Sequence, residues 1–366
     1  MGDGNASNPL PGRIALLDGA ALSDRLARLI ARSGPIPLSL FMGLANAHYY
    51  ATRDPMGVDG DFITAPEISQ MFGELIGLWC ADMWLRSGAD GPATLVELGP
   101  GRGTLMADVC RAMRQFGVAA DVHMVEASPV LRDLQSAAVP GARFHDGAAS
   151  LPDDRPLIIL ANEFFDALPI RQWVRTEAEW REKMVMHSGN GFSFCAGDTV
   201  MDAAVPDAWR GAPLGSVIET SPVAHAIAHD LAQTLARQGG AMLVIDYGYF
   251  QAAIGETLQA LHHHIYVAVL DDPGERDLTA HVDFGALAAV GREAGLSVHG
   301  PTTQGAFLRA LGLDARAASL MEGHPHRAEA LAGECDRLAG DEKMGILFKV
   351  LAMISANWPL PEGFAP

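Results

Sequence analysis

Cysteine is scarce in this chain: four among 366 residues, at positions 80, 110, 195 and 335. None forms a C-x-x-C pair. That excludes a disulfide framework or a zinc site of ordinary spacing and fits small buried hydrophobes in a reducing compartment. Basic runs are missing as well. Lysine and arginine total 26 against 44 aspartates and glutamates, a formal net charge of -18. Nucleic acid is thereby disfavoured as a partner, because phosphate neutralisation dominates such binding. The acidity suits a basic partner or substrate and reports solubility. No apolar run has the length that spans a bilayer, so no membrane insertion is expected. The N-terminal residues have neither the charged and apolar regions of a signal peptide nor the composition of a transit peptide, and the expected address is the cytoplasm of a bacterium-like cell. No internal repeat, low-complexity tract, P-loop or G-x-S-x-G elbow occurs.

What is present is enough apolar residue to bury one large core or two moderate ones: 49% hydrophobic, 19% charged, with mean hydropathy +0.13. Residues 1–20 read as a flexible tail, rich at first in Gly, Asn and Pro. Residues 21–90 read as helical. Apolar residues at 22, 26, 29 and 30 have helical period; Gly34-Pro35-Ile36-Pro37 breaks it; Ser39 can cap a second helix through Tyr50; a long amphipathic helix runs from about Ile68 to Leu85. From 91 to 250 strand and helix signals alternate. Strands are expected near 94–98, 121–126, 142–145, 157–161, 216–219 and 241–245, and helices near 104–116, 129–137 and 223–238. Such alternation argues an α/β fold with a parallel sheet flanked by helices. An insertion at about 172–213 carries two short runs split by Ser188-Gly189-Asn190 and reads as a hairpin. Residues 251–366 return to mixed elements packed on the core. They end in Met344–Ser355, a run too continuously apolar for a surface helix.

The densest signal is Leu95-Val96-Glu97-Leu98-Gly99-Pro100-Gly101-Arg102-Gly103-Thr104. A short apolar strand, a tight glycine turn and a helix start bring backbone close to a nucleotide-like ligand. Dinucleotide sites read G-x-G-x-x-G and set a pyrophosphate on the helix N-terminus. Here the spacing is E-x-G-x-G-x-G. Glu97 would repel a pyrophosphate and suits a cation, such as the sulfonium and ammonium groups of S-adenosylmethionine. A second strand ends in Glu126, and Ala127-Ser128-Pro129 opens a helix with Ser128 as N-cap. An acid at that strand end can accept hydrogen bonds from ribose hydroxyls. An ordinary strand-to-helix turn and an NAD site stay open at this point.

The strand at 157–161 runs into Asn162-Glu163-Phe164-Phe165-Asp166-Ala167-Leu168-Pro169, where polar side chains interleave with aromatics. Asn162, Glu163 and Asp166 could accept hydrogen bonds from a nitrogen nucleophile or hold a guanidinium, which a carboxylate binds bidentately. Catalysis would then rest on proximity and alignment. The plainer alternative is that Asn162 and Glu163 cap a helix. Asp61 and Thr64 lie on a loop expected to cover the cofactor, although Thr64 and Glu67 also fit a capping box. Asp246-Tyr247-Gly248-Tyr249 and His281-Val282-Asp283 are further polar clusters. No metal site is expected, since adjacent histidines in His262-His263-His264 point to opposite faces of a strand.

These blocks together resemble the MidA-type class I methyltransferases, whose eukaryotic members are mitochondrial complex I assembly-factor arginine methyltransferases. The resemblance runs in order from about residue 35 to 355. It is carried by Gly60–Ser69, Glu97–Thr104, Val125–Pro129, Ala161–Pro169, Ile245–Gly248, Asp277–Phe284, Thr303–Gly305 and Met344–Lys349. It implies a Rossmann-like class I methyltransferase sheet with an N-terminal helical region, an inserted hairpin and C-terminal additions. It implies S-adenosylmethionine as methyl donor and a protein substrate, in eukaryotes an arginine on a subunit of respiratory complex I. Glu97, Gly99, Pro100, Gly101, Gly103, Thr104, Glu126, Ala127 and Ser128 would line the cofactor, with Asp61 and Thr64 over it. Asn162, Glu163 and Asp166 would face the acceptor. Tyr266-Val267-Ala268-Val269-Leu270 is less polar than its family counterpart. A cofactor-holding assembly factor without catalysis and an NAD-dependent oxidoreductase are the competing readings.

Overall fold

The structure, a computed structural model, describes residues 21–52, 63–201, 205–262 and 265–364. Seven strands make the central sheet, in the spatial order Arg143–His145, Ala120–Val125, Ala93–Leu98, Leu157–Asn162, Gly240–Tyr249, Phe348–Ile354 and Ser297–Thr303. Val282–Asp283 pairs in parallel with the far end of Gly240–Tyr249. The first five strands are mutually parallel. Leu157–Asn162 is buried along its whole length, as expected for a parallel strand with helices on both faces.

The sheet is mixed rather than purely parallel. Phe348–Ile354 runs antiparallel to Gly240–Tyr249 in an unbroken ladder from Tyr247↔Phe348 to Ala241↔Ile354. It is the apolar run at the end of the chain, and all seven of its residues are buried. A run buried on both faces looks the same in sequence whichever direction it takes.

Alternate residues of the strands feed two cores. One face packs against helices Gln70–Ser87 and Thr104–Gln115 and the C-terminal helices from Gln304 onward; the other packs against Pro222–Gln238 and Phe284–Glu293. The helix Gln70–Ser87 is less amphipathic than the sequence suggested. Met71, Phe72, Cys80, Ala81 and Trp84 go round it and are all buried. The C-terminal helices supply the extra cover, and Arg316 reaches Glu74 at 2.9 Å to close the seam. Where this helix crosses Thr104–Gln115, a Cβ on Gly73 would stand 2.4 Å from the Asp108 Cβ. Close approach there requires glycine.

Three further pieces surround the sheet's edge. The hairpin Trp180–Ser188 and Gly191–Val200 joins Arg171–Arg175, Ile36–Pro37 and Val217–Thr220 in a separate antiparallel sheet. The strand expected at 216–219 therefore belongs to this second sheet and not to the parallel one. Its partner is fixed at long range, by the register Gln172↔Glu219 and a buried Gln172–Glu219 hydrogen bond of 2.7 Å, which local periodicity cannot report. A third, three-stranded sheet has the order Ile265–Val267, Gln259–His262, Asp277–Thr279. Helix Leu38–Thr52 clamps it to the strand-end turn after Leu157–Asn162. Asn46 Nδ2 donates to Ala167 O and Leu278 O at 2.9 and 2.7 Å, and Asn46 Oδ1 accepts from Leu278 N. No helix among the described residues is long and apolar enough to cross a membrane.

Candidate functional site

Strand order reverses between Ala93–Leu98 and Leu157–Asn162. From the first, the chain builds outward to Ala120–Val125 and Arg143–His145, then returns to the other side. Such a reversal leaves a crevice beyond the carboxyl ends of the two strands. Both sequence motifs sit there, and a cavity of about 1420 Å³ opens over them.

On one wall is the glycine turn. Gly99, Gly101 and Gly103 hold φ values of 61°, 54° and 82°, a left-handed region open chiefly to glycine. A Cβ on Gly99 would stand 3.0 Å from Phe164 Cδ2, so the turn abuts the neighbouring strand-end segment directly. Pro100, Thr104, Ala127 and Ser128 line the same cavity. Glu126 is extensively held: Oε1 accepts from Ser128 N at 2.7 Å and Oε2 from Gln135 Nε2 at 3.2 Å. Gln135 Nε2 also donates to Gly101 O at 2.7 Å, tying the glycine turn to the second strand. Ser128 caps the helix Pro129–Ala138 by accepting from Leu131 N. Arg132 donates to Glu126 O at 2.8 Å and bridges to Asp146 at 2.6 Å.

Glu97 is different. It is 3% exposed, lines the cavity, and its Oε2 has no partner. Burial pushes its carboxyl up to about 8. Desolvation has the largest effect where no cation or donor compensates it.

Thr64 also lines the cavity, at the start of the short helix Ala65–Ile68, but its side chain makes no capping bond. The capping box expected of Thr64 and Glu67 does not form, because Glu67 Oε1 accepts instead from the Thr104 hydroxyl at 2.5 Å. Asp61 lies outside the described residues.

The opposite wall is Asn162, Glu163 and Asp166. No helix follows Asn162, so the capping alternative fails; the segment is a run of turns. Glu163 has φ +50°, an uncommon conformation for a residue with a Cβ and one concentrated at functional sites. Its Oε1 accepts from Ala65 N and Asn162 Nδ2, both at 3.2 Å. Burial, then the charge of Asp166, pushes Glu163 up to about 8. Burial likewise raises Asp166 to about 6, opposed by a hydrogen bond from Tyr247. Asn162 Oδ1 and Asp166 Oδ1 are buried without a partner.

Sequence reasoning placed Asp246 and Tyr247 in a polar cluster but not in the site, and it did not single out Tyr50, Asp277 or Thr279. Asp246 is fully buried. It accepts backbone N–H groups from Phe165, Asp166 and Tyr247 at 3.0, 3.2 and 2.9 Å, which shapes the strand-end turn. Tyr50 donates to Asp277 Oδ1 at 2.9 Å, and Asp277 adds to the negative potential at Glu163. Tyr247 also bonds Thr279, and its ring meets His281 edge-on at 5.5 Å. The signal that could have exposed them is positional: Asp246 and Tyr247 lie at the carboxyl end of a strand parallel to Leu157–Asn162.

Four carboxyl groups thus gather at one end of the cavity. Among the described residues, no three acidic, histidine or cysteine side chains converge closely enough to hold a metal ion.

Comparison with known proteins is consistent with this geometry. A family model described as an S-adenosyl-L-methionine-dependent methyltransferase matches residues 75–302. A Drosophila melanogaster protein named protein arginine methyltransferase NDUFAF7 homolog, mitochondrial, is 34% identical over 376 residues, covering 91% of this chain and 84% of its own. The Homo sapiens protein arginine methyltransferase NDUFAF7, mitochondrial, is 35% identical over 367 residues, covering 89% and 81%. A crystal structure of a Burkholderia thailandensis protein bound to S-adenosylhomocysteine superposes with a TM-score of 0.82 at 26% identity, covering 93% of both chains.

Proposed function

The chain belongs to the MidA-type family of S-adenosyl-L-methionine-dependent methyltransferases, and from that premise we propose that it methylates a guanidinium nitrogen of an arginine in a protein substrate. The observation that carries this reading is the set of buried, unpartnered oxygens on Asn162 and Asp166 beside the raised carboxyl of Glu163. A planar cation with several N–H donors satisfies all three. The same wall makes NAD-dependent hydride transfer a poor fit.

The residues present fit the cofactor. Gly99 and Gly101 expose backbone to the cavity, Glu126 lines it where ribose hydroxyls would bond, and the orphaned Glu97 Oε2 awaits a cation. Pro100, Gly101, Thr104, Ala127, Ser128 and Thr64 complete that wall, whereas Gly103 does not line it and packs instead on Gln135 and Ala138. S-adenosylmethionine supplies an electrophilic methyl group on a sulfonium when bound. The remaining chemistry is positioning. Asn162 Oδ1 and the Glu163 and Asp166 carboxylates hold the guanidinium so that one nitrogen faces the methyl group. That nitrogen must shed a proton as the new bond forms. Asp166, with a value of about 6, is ionised at neutral pH and takes it at Oδ1. Tyr247 keeps Asp166 in place, and Tyr50 keeps Asp277.

The acceptor we favour is the counterpart of the complex I subunit implied by the family, met in the cytoplasm; four free cysteines suit a reducing compartment. The test is lysate from a strain lacking this gene, incubated with the purified protein and methyl-labelled S-adenosylmethionine. Label on one protein band, released as methylarginine on hydrolysis, is the expected result. Confirmed cofactor binding with no labelled protein would overturn it and favour a cofactor-holding assembly role.

A further inference from the structure

The three-stranded sheet beside the acidic wall ends in an open edge. Ile265–Val267 pairs only with Gln259–His262 among the described residues. Its outward side chains are apolar: Ile265 is 66% and Tyr266 70% exposed. Proteins seldom leave apolar side chains on an unpaired strand edge without a partner for them. The register also runs the right way. Tyr266 pairs with Leu261, and Leu261 pairs with Asp277, so the three share a sheet face. All three line the cavity. One row of side chains thus leads from a carboxylate of the acceptor wall, over a leucine, to a bare edge. Across the mouth lies a second apolar lip, Ile346 and Leu347, about half exposed. Lys349 holds that lip by donating from Nζ to both carbonyls, at 2.6 and 2.9 Å.

We propose that Ile265–Val267 is the docking edge for an extended segment of the protein substrate, which pairs with it through main-chain hydrogen bonds and rests alternate apolar side chains on Tyr266 and Leu347 at the cavity face and on Ile265 at the opposite face, while its arginine enters the acidic cavity. The proposal rests on the arginine reading above for the identity of the buried residue only. The occupant is a protein segment because a strand edge binds backbone, which a small acceptor does not offer. Its chemistry is set by complementarity: one cation for the carboxylates, apolar and β-favouring neighbours for the lips. Three strand spacings separate a segment paired on that edge from Asp277–Thr279, about 14 Å, so the paired residues lie about four extended positions to one side of the arginine.

The test is fluorescence anisotropy with the full-length protein, saturated with S-adenosylhomocysteine, and a short labelled peptide in which one arginine follows a Val-Thr-Ile-Tyr stretch. Wild type binds it; the double variant Ile265→Ser/Tyr266→Ser, folded by its unchanged melting temperature, binds about tenfold more weakly, equivalent to about 1.4 kcal/mol. Methylating alternate backbone nitrogens of the peptide weakens binding to wild type by a similar factor. A citrulline peptide separates the two readings. If it binds as well as the arginine peptide while the double variant still binds more weakly, the arginine reading falls and the docking edge stands. Equal affinity of wild type and double variant, no binding of either peptide to wild type, or a dimer of this chain that the double variant dissolves would each overturn the docking proposal.

Discussion

The end of the cavity proposed for the ribose and the end proposed for the acceptor are built on opposite plans. At the ribose end Glu126 receives Ser128 N and Gln135 Nε2, Gln135 also bonds Gly101, and Arg132 spans to Asp146. At the acceptor end, Glu163 sits at positive φ, Asp166 and Asn162 keep bare oxygens, and carboxyl groups face one another. Glu97 lies on the cofactor wall but follows the second plan. The difference tracks what each group is to meet. A carboxylate that binds neutral hydroxyls can be held by N–H donors beforehand without losing its use. One that binds a cation is left bare, and the bare state costs stability until the cation arrives.

The sharpest way to break this contrast is Asp166→Asn. It removes the proton acceptor yet keeps the shape, and kcat should fall about 10²–10⁴-fold while cofactor affinity in a calorimetric titration stays nearly unchanged. Equal losses in both would mean that the two ends are one unit. The wild-type profile supplies the companion reading. Glu163 and Asp166 must be ionised to hold a guanidinium, and their values lie near 8 and 6. Activity measured as kcat/KM should therefore decline as pH falls below about 8 and decline more steeply below about 6. A profile flat down to the ordinary carboxylate range would remove both groups from the step.

Next in size is Glu126→Ala. Stranding the donors of Ser128 and Gln135 should weaken S-adenosylmethionine binding by about 1–3 kcal/mol, with the turnover of bound complex little altered. Unchanged affinity would refute the ribose assignment.

The smallest effect has the opposite sign. Glu97 is raised from 4.5 to about 8 when folded, so the folded chain holds that proton more tightly than the unfolded one. Its contribution to stability is full below the unfolded value and is lost as pH rises toward about 8. Glu97→Gln carries no such loss. Its melting temperature should come nearest to wild type near pH 5 and exceed it near pH 8 by a few degrees, while cofactor binding weakens. A gap that does not change with pH would show that Glu97 is already paired.

Much of the wall around the glycine turn was legible as local structure, because it is consecutive in the chain. The strand, the three glycines and the capped helix at Ser128 are consecutive in the chain, and each has a backbone reason to be there. The acceptor wall was legible only in its first half, Asn162–Asp166. Tyr50, Asp277 and Thr279 come from a helix and a strand more than two hundred residues apart, and Asn46 brings them together. No periodicity records such a meeting. The same reason hid the antiparallel partner of Gly240–Tyr249 and assigned Val217–Thr220 to the wrong sheet: apolar strands announce burial, whereas direction and partner are set by the rest of the chain.

The short helix Ala65–Ile68 touches both ends of the cavity. Its first N–H rests on Glu163 and its Glu67 holds the hydroxyl of Thr104, at the helix start behind the glycine turn. A guanidinium that draws Glu163 toward itself loosens one of these holds, and a cofactor that settles the turn tightens the other. Donor and acceptor thus meet through one shared brace. Thermodynamic linkage then requires that each change the other's affinity by the same factor, a coupling carried by a four-residue helix.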